Sequence, residues 1–333
     1  MHAEKAIVAN CSAVREWDSN GTVFGYDPSR EGHNAGEFGH NDFYPVVIAA
    51  CHSNPQFNGK DALKGMILLD EIRGRLAEVF SLKTYKIDHV VHGAIASAAT
   101  YGAMMGATAD QIENAIGMVV AHYIPWRAIR AGKQLSDSKG ASAALSTEVA
   151  IQSIKRAMKG FMGPKDIFRN PEALFRQFKP TESNDVSPFD IVLAKNGTDF
   201  SVMGMHFKLG LYEHQSAGAI QAIINMIHQQ QDVLLGEGSI DAIERIRITA
   251  YEPAFGIIGD PAKRNPKTRQ SADHSMVYII STLIRKAFEK TKLIKEDKDM
   301  EELWKTLMLT PMDYGKEALN DPVTRKIMEK IDF

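Results

Sequence analysis

Apolar residues recur every three or four positions through most of the first 178 residues. That period commits this part of the chain to helices, because side chains on a strand repeat every two. Asp61 to Phe80 (DALKGMILLDEIRGRLAEVF), His89 to Met105 and Asp110 to His122 carry the pattern most clearly. Met1 leads almost directly into helix, and the apolar run Tyr44 to Cys51 reads as a buried one. The second periodic segment is unusually small-faced, with Ala94, Ala96, Ala98, Ala99, Gly102, Ala103 and Gly106, so neighbouring helices can approach it closely. Gly140 to Ala150 has the same character.

Past residue 178 the pattern changes. KPTESNDVSPFD is a polar, proline-bounded loop, and a mixed region follows. Ile243 to Tyr251 (IERIRITAY) alternates apolar and charged residues as a half-buried strand does, between helices expected at His214 to Gln229 and Ser271 to Lys290. Lys292 to Glu302 is charged and reads as solvated. The expected fold is mainly α: a large all-helical domain over residues 1–200 and a smaller α+β domain over 201–333.

At 44% hydrophobic over 333 residues the chain can bury a substantial core. Its 39 basic and 41 acidic residues give no overall basic field, so neither nucleic acid nor a membrane surface is an expected partner. Cys11 and Cys51 are too few for a disulfide scaffold or an iron–sulfur cluster. With no 18-residue apolar run and no signal-peptide pattern, a soluble protein of the cytoplasm or mitochondrial matrix is expected.

Chemistry concentrates first in Arg15 to Ala50 (REWDSNGTVFGYDPSREGHNAGEFGHNDFYPVVIAA), where polar groups crowd against the apolar run. Asp18, Asn20, Thr22, His33, Glu37, His40 and Asp42 are site candidates there; the alternative is a polar loop that caps a helix. In Asp88-His89-Val90-Val91-His92 the two histidines share roughly one helix face, yet no third spaced ligand makes them a zinc site, and His92 alone reads as structural. Arg127, Arg130, Lys133 and Lys139 gather before the small-residue helix, as a receptor for carboxylate or phosphate would, or as a solvated basic loop. Ser136 and Lys139 form an SxxK pair without the KTG that accompanies it in penicillin-binding enzymes. Lys208 and His214 open the second region, and Asp273, His274 and Tyr278 are expected on one helix, the last two on a common face.

Taken in order over nearly the whole chain, these motifs resemble the MmgE/PrpD family. The family's site carries Asp, Thr four residues later, and Gly-His before an apolar helix; WDSNGT supplies Asp18 and Thr22, and FGHNDFYPVVIAA supplies His40. IDHVVHGAIAS is similar to its Asp-His-Val helix start and points to His89. Its active-site lysine falls on Lys139 when SKGASAALSTEVAIQSIKRAMKG is laid on that helix without gaps, with Lys133 the competing assignment. FKLGLYEHQSAGA and ADHSMVY look like the family's lid-boundary and DHxxxY segments, giving Lys208, His214 and Tyr278. Asn20 stands where relatives have Asn or Asp, and Gly21 replaces their usual second Asp.

The resemblance implies a helical domain with an α+β lid, a site in the cleft between them, and a homodimer. It also implies a longer protein, so the chain is expected to be truncated at both ends and, as a fragment, weakly stable and weakly active. The implied reaction is cofactor-independent and metal-free, the dehydration of 2-methylcitrate to 2-methyl-cis-aconitate in propionate catabolism. Asp18, Thr22, His40, His89, Lys139 and Tyr278 would be catalytic, while Arg127, Arg130, Lys133, Lys208, His214 and His274 would bind the tricarboxylate. Decarboxylation of cis-aconitate is the alternative within the family, and a non-catalytic binding subunit the alternative outside it. The proton removed lies beside a carboxylate, so the site must stabilise an anionic intermediate with fixed cations. A carboxylate ~4 Å from a cation gains roughly 4 kcal/mol at an effective dielectric near 20. Histidines, with an ordinary pKa near 6.5, would move the protons.

Overall fold

In the computed structural model, residues 2–17, 21–22, 39–130, 135–178, 189–236, 239–296 and 299–333 are described. The chain is mainly α-helical and divides into two compact units. Unit 1 comprises Met1–Glu16, Asn20–Arg130 and Asp137–Phe207, and unit 2 comprises Trp17–Ser19, Ala131–Ser136 and Lys208–Phe333.

Among its described residues unit 1 is built on six longer helices: α1 (Ala3–Glu16), α2 (Tyr44–Ser53), α3 (Gly59–Val79), α4 (Val90–Met104), α5 (Ala109–His122) and α6 (Asp137–Met158). Local chemistry sets the starts of α3 and α5. Asn58 and Asp61 form a capping box at the head of α3, and Thr108 and Gln111 form one at α5. The central packing is α6 against α1, α4 and α5. The small residues of α4 make this packing possible. A methyl on Gly102 would lie 2.9 Å from Ile154 of α6, and one on Gly93 would sit 2.0 Å from the Phe43 ring. Two apolar cores result, one around Ile7, Phe43, Leu69, Val119 and Ile151, the other around Leu76, Phe80, Ile87, Phe175 and Phe189. His92 stands beside the second core, its Nε2–H donating to the Phe80 carbonyl at 2.9 Å. Burial pushes its pKa down to about 4, as befits a structural imidazole.

Unit 2 packs α-helices Ala217–Gln229, Met276–Glu289, Met300–Leu307 and Pro322–Met328 around Ile220, Ile224, Ile280, Leu283, Leu303 and Ile327. Unit 2 differs from the sequence-based expectation in three places. The strand expected over Ile243 to Tyr251 shortens to β3 (Ile246–Arg247); among the described residues its partner is β4 (Ile331–Asp332), in a parallel pairing. The helix expected over Ser271 to Lys290 is two helices, Arg269–Ala272 and Met276–Glu289, because Ser275 leaves the helical conformation (φ −117°, ψ 106°) and its hydroxyl caps the Tyr278 N–H. The charged stretch Lys292 to Glu302 is not simply solvated, since Ile294 joins the core and Leu303 just beyond it does too. Each contributes about 1.5–3 kcal/mol by leaving water. Among the described residues no helix is long and apolar enough to cross a membrane.

Candidate functional site

In unit 1 the segment around Gly39 and His40 is held by bonds that leave it little freedom. Gly39 takes a left-handed conformation (φ 70°, ψ 46°), and a methyl there would lie 2.3 Å from Asp42 Oδ2, so glycine is required twice over. The Gly39 N–H donates to the Gly21 carbonyl at 3.2 Å, and the Gly21 N–H donates to His40 Nδ1 at 3.0 Å. Gly21 and Thr22 form β1, antiparallel to β2 (His206–Phe207), with Thr22 opposite His206. The His40 ring packs edge-on to Tyr44 and Phe207, with centroids 5.3 and 5.5 Å away. Burial, with the Arg73 charge adding to it, lowers the His40 pKa to about 4, so the ring is neutral at physiological pH.

Arg73 organises the ground beneath. It is 0% exposed, its Nη1 donates to the Gly39 carbonyl at 2.9 Å, and its guanidinium carbon sits 4.8 Å over the Phe43 ring. Nearby, the Tyr44 hydroxyl donates to Asp70 at 2.6 Å. Burial raises the Asp70 carboxyl to about 7, against the opposing pull of that hydrogen bond and of Arg73. Asp42, named from sequence, is fully buried with Oδ2 3.4 Å from Arg15 Nε.

His89 directly precedes α4, its Nδ1 3.2 Å from Asp88 Oδ1. The backbone ties its segment to that of Arg127: the Asp88 N–H donates to the Pro125 carbonyl and the Arg127 N–H to that of Lys86, both at 2.8 Å. Arg127–Arg130 is a 3-10 turn packed against α6. Lys139 lies in the first turn of α6, buried to 1% exposure, whereas Ser136 of the SxxK pair is exposed and precedes the helix. A methyl on Gly140 would lie 3.5 Å from the Glu16 carboxylate, while Arg15 reaches Asp42. The head of α6, the end of α1 and the 40–43 turn therefore adjoin.

Unit 2 holds the other candidates. Lys208 Nζ donates to the Tyr212 carbonyl at 3.0 Å. His214 Nδ1 lies 2.8 Å from Glu213 Oε1, and His274 Nδ1 lies 2.5 Å from Asp273 Oδ1. The two pairs are joined, because the Glu213 N–H donates to the Asp273 carbonyl at 2.9 Å. Arg269 bonds Asp273 at 3.1 Å and stacks 5.1 Å over Trp17, and the Ser271 hydroxyl accepts from the Leu135 N–H at 3.0 Å. Tyr278 departs from the expectation. The break at Ser275 separates it from the turn that carries His274, so the two do not ride one helix face. Its ring is 0% exposed in the core, and its hydroxyl donates to the Asp313 carbonyl at 2.7 Å. Burial raises its pKa to about 12.

Thr22, His40, His89, Arg127 and Lys139 thus belong to unit 1, and Lys208, His214, His274 and Tyr278 to unit 2. Asp18, Asn20, His33, Glu37 and Lys133 lie outside the described residues. Among the described residues no group of three His, Cys, Asp or Glu side chains is arranged to hold a metal ion. Arg73 escaped the sequence reading although its position was a signal. It falls on the same buried stripe as Leu69, Leu76 and Phe80, where a charge must have an internal partner.

The MmgE/PrpD N-terminal domain model matches residues 1–187 and the MmgE/PrpD C-terminal domain model matches 212–305. Curated relatives named 2-methylcitrate dehydratase share 25% identity over 277 residues in Salmonella typhi and 26% over 226 residues in Escherichia coli, covering 82% and 67% of this chain and 54% and 44% of those proteins. A relative named 2-methylcitrate dehydratase, mitochondrial, from Yarrowia lipolytica is 25% identical over 279 residues, 83% of this chain and 47% of its own. The chain spans about half the length of the curated relatives it matches. With the two domain models together covering most of its residues, in the order in which its two units follow each other, the chain belongs to the MmgE/PrpD family.

Proposed function

We propose that this chain carries the machinery of a hydro-lyase that dehydrates 2-methylcitrate to 2-methyl-cis-aconitate by acid–base chemistry without a metal. The observation that carries the reading is the burial of ionisable side chains at the named positions of unit 1: His40, His89 and Lys139 are 7%, 4% and 1% exposed. Charge and imidazole are costly to bury, and several of them buried together at the positions the resemblance names mark a candidate site. The relatives' shared name supports the substrate.

In this reading a histidine removes the proton from the carbon that bears a methyl and a carboxylate. The C–H pair becomes the new double bond, the hydroxyl on the adjacent carbon takes a proton from a second acid–base group and departs as water, and Lys139 with Arg127 steadies the carboxylates. A small tricarboxylate is the expected partner and a homodimer the expected assembly. The test is incubation with 2-methylcitrate, citrate and cis-aconitate while following the conjugated alkene and released carbon dioxide. Alkene formed from 2-methylcitrate and undiminished by a chelator supports the reading. Carbon dioxide released from cis-aconitate in its place, or activity restored after chelation by one added metal, would overturn it.

A further inference from the structure

Three candidate histidines directly follow an acidic residue: Asp88-His89, Glu213-His214 and Asp273-His274. In all three the acid's oxygen lies beside the ring's Nδ1, at 3.2, 2.8 and 2.5 Å. A carboxylate can only accept, so a ring nitrogen bonded to one carries a proton, as Nδ1 of His274 does, and the neutral ring then has its lone pair on Nε2; the proximity of Asp88 and Glu213 favours the same arrangement in His89 and His214. His40 follows a glycine and is oriented the opposite way. Its Nδ1 accepts the Gly21 N–H at 3.0 Å, which puts the proton of the neutral ring on Nε2.

We propose that these four histidines hold two opposed tautomers by construction, with Asp88, Glu213 and Asp273 as positioning residues that make His89, His214 and His274 proton acceptors at Nε2, and with the Gly21 amide making His40 a donor there. Burial holds His40 neutral, as the assignment needs. Unit 1 by itself then contains both halves of a dehydration: an acceptor suited to the carbon-bound proton in His89, and in His40 a donor suited to an oxygen of the substrate. This division of roles rests on the proposed hydro-lyase reading, whereas the tautomers do not.

Glu213 and Asp273 are also anchored through the oxygen that does not face the ring, whereas Asp88 is anchored through the oxygen that does. Asp88 Oδ1 accepts the Val90 N–H at 3.4 Å, Glu213 Oε2 accepts the Gln215 N–H at 2.8 Å, and Asp273 Oδ2 accepts from Arg269 at 3.1 Å. A side chain held from behind in this way orients its partner rather than following it.

The experiment is two-bond proton–nitrogen correlation on protein with nitrogen-15 histidine at about pH 8, above the ordinary imidazole pKa near 6.5. It reads the tautomer without substrate. The expected result is Nδ1–H for His89, His214 and His274 and Nε2–H for His40. In Asp273→Asn, and separately in Glu213→Gln, the following histidine should move toward Nε2–H. An Nε2–H tautomer at any of the three in the parent protein, an Nδ1–H tautomer at His40, or an unmoved tautomer in either variant would overturn the proposal. Correct tautomers with no dehydration of 2-methylcitrate would leave it standing and sink the functional reading instead.

Discussion

Arg73 in unit 1 and Lys286 in unit 2 are both cations buried within a helix, yet their partners differ in kind. Lys286 meets a closed set: Asp313 Oδ2 and the Met308 carbonyl, both at 2.7 Å, with Thr310 also bonded to the same carboxylate. Burial lowers its pKa while the Asp313 partnership opposes that fall. Arg73 instead supports the backbone turn that delivers His40 and spreads its charge over Asp70, Tyr44, His40 and His92. The lesson is that equal burial does not mean equal purpose. One cation closes a fold upon itself, and the other fixes the electrostatics and geometry of a candidate site.

Removing each charge tests the contrast between the two cations most directly. Lys286→Met should cost about 3–5 kcal/mol, because it leaves the buried Asp313 carboxylate uncompensated, and Arg73→Met about 1–3 kcal/mol, because it leaves the Gly39 carbonyl without its donor. Denaturant melts check this, and a loss under 1 kcal/mol in either variant would mean that the cation is dispensable. The second prediction concerns activity. Lys139→Met and His89→Gln should lower turnover roughly 10²–10³-fold, as losing a fixed donor or charge at a reacting centre does. Near-normal kinetics for Lys139→Met would move the lysine assignment to Lys133.

A third prediction uses pH. Asp70, raised from 3.8 to about 7 by burial, holds its proton more tightly folded than unfolded. Its stabilising contribution is complete below its unfolded pKa and is lost as pH rises through 7. His40, lowered from 6.5 to about 4, contributes in the opposite direction, with stability complete above 6.5 and lost as pH falls through 4. Asp70→Asn should therefore gain Tm relative to the parent as pH is raised from 4 to 7, and a difference that stays flat with pH would contradict the raised carboxyl. Smaller still is Ser275→Ala, which removes the cap of the Met276–Glu289 helix and should cost about 1 kcal/mol. Smallest is Lys155→Ala. Its partly exposed pair with Glu4 joins α6 to α1 and should be worth less than about 1 kcal/mol, with turnover unchanged.

Much of the fold was legible because helical period survives in sequence. The helix expected over Asp110 to His122 runs Ala109–His122, and that expected from Asp61 to Phe80 runs Gly59–Val79. The strand over Ile243 to Tyr251 was overread for a definite reason. Alternation marks residues suited to a ladder, but a ladder's length is set by its partner, and here two residues pair. The break at Ser275 was hidden because the apolar spacing continues across it while the serine exchanges helix for cap. For the candidate site, residue types were readable and their states were not. His89, His214 and His274 each sit beside an acid in sequence, yet that adjacency alone does not say whether the carboxylate turns toward the ring.

What the sequence determined by itself is the mainly helical architecture and the roster of chemistry-bearing side chains, since period and residue type are local properties of the chain. Tertiary structure decided which ring nitrogen of His40 faces the Gly21 amide, that Tyr278 commits its hydroxyl to the Asp313 carbonyl, and that Arg73 lies beneath Gly39. Each of these joins residues 19 to 35 positions apart. Protonation and tautomer follow from burial and from the nearest donor or acceptor, and those are fixed only when distant segments pack.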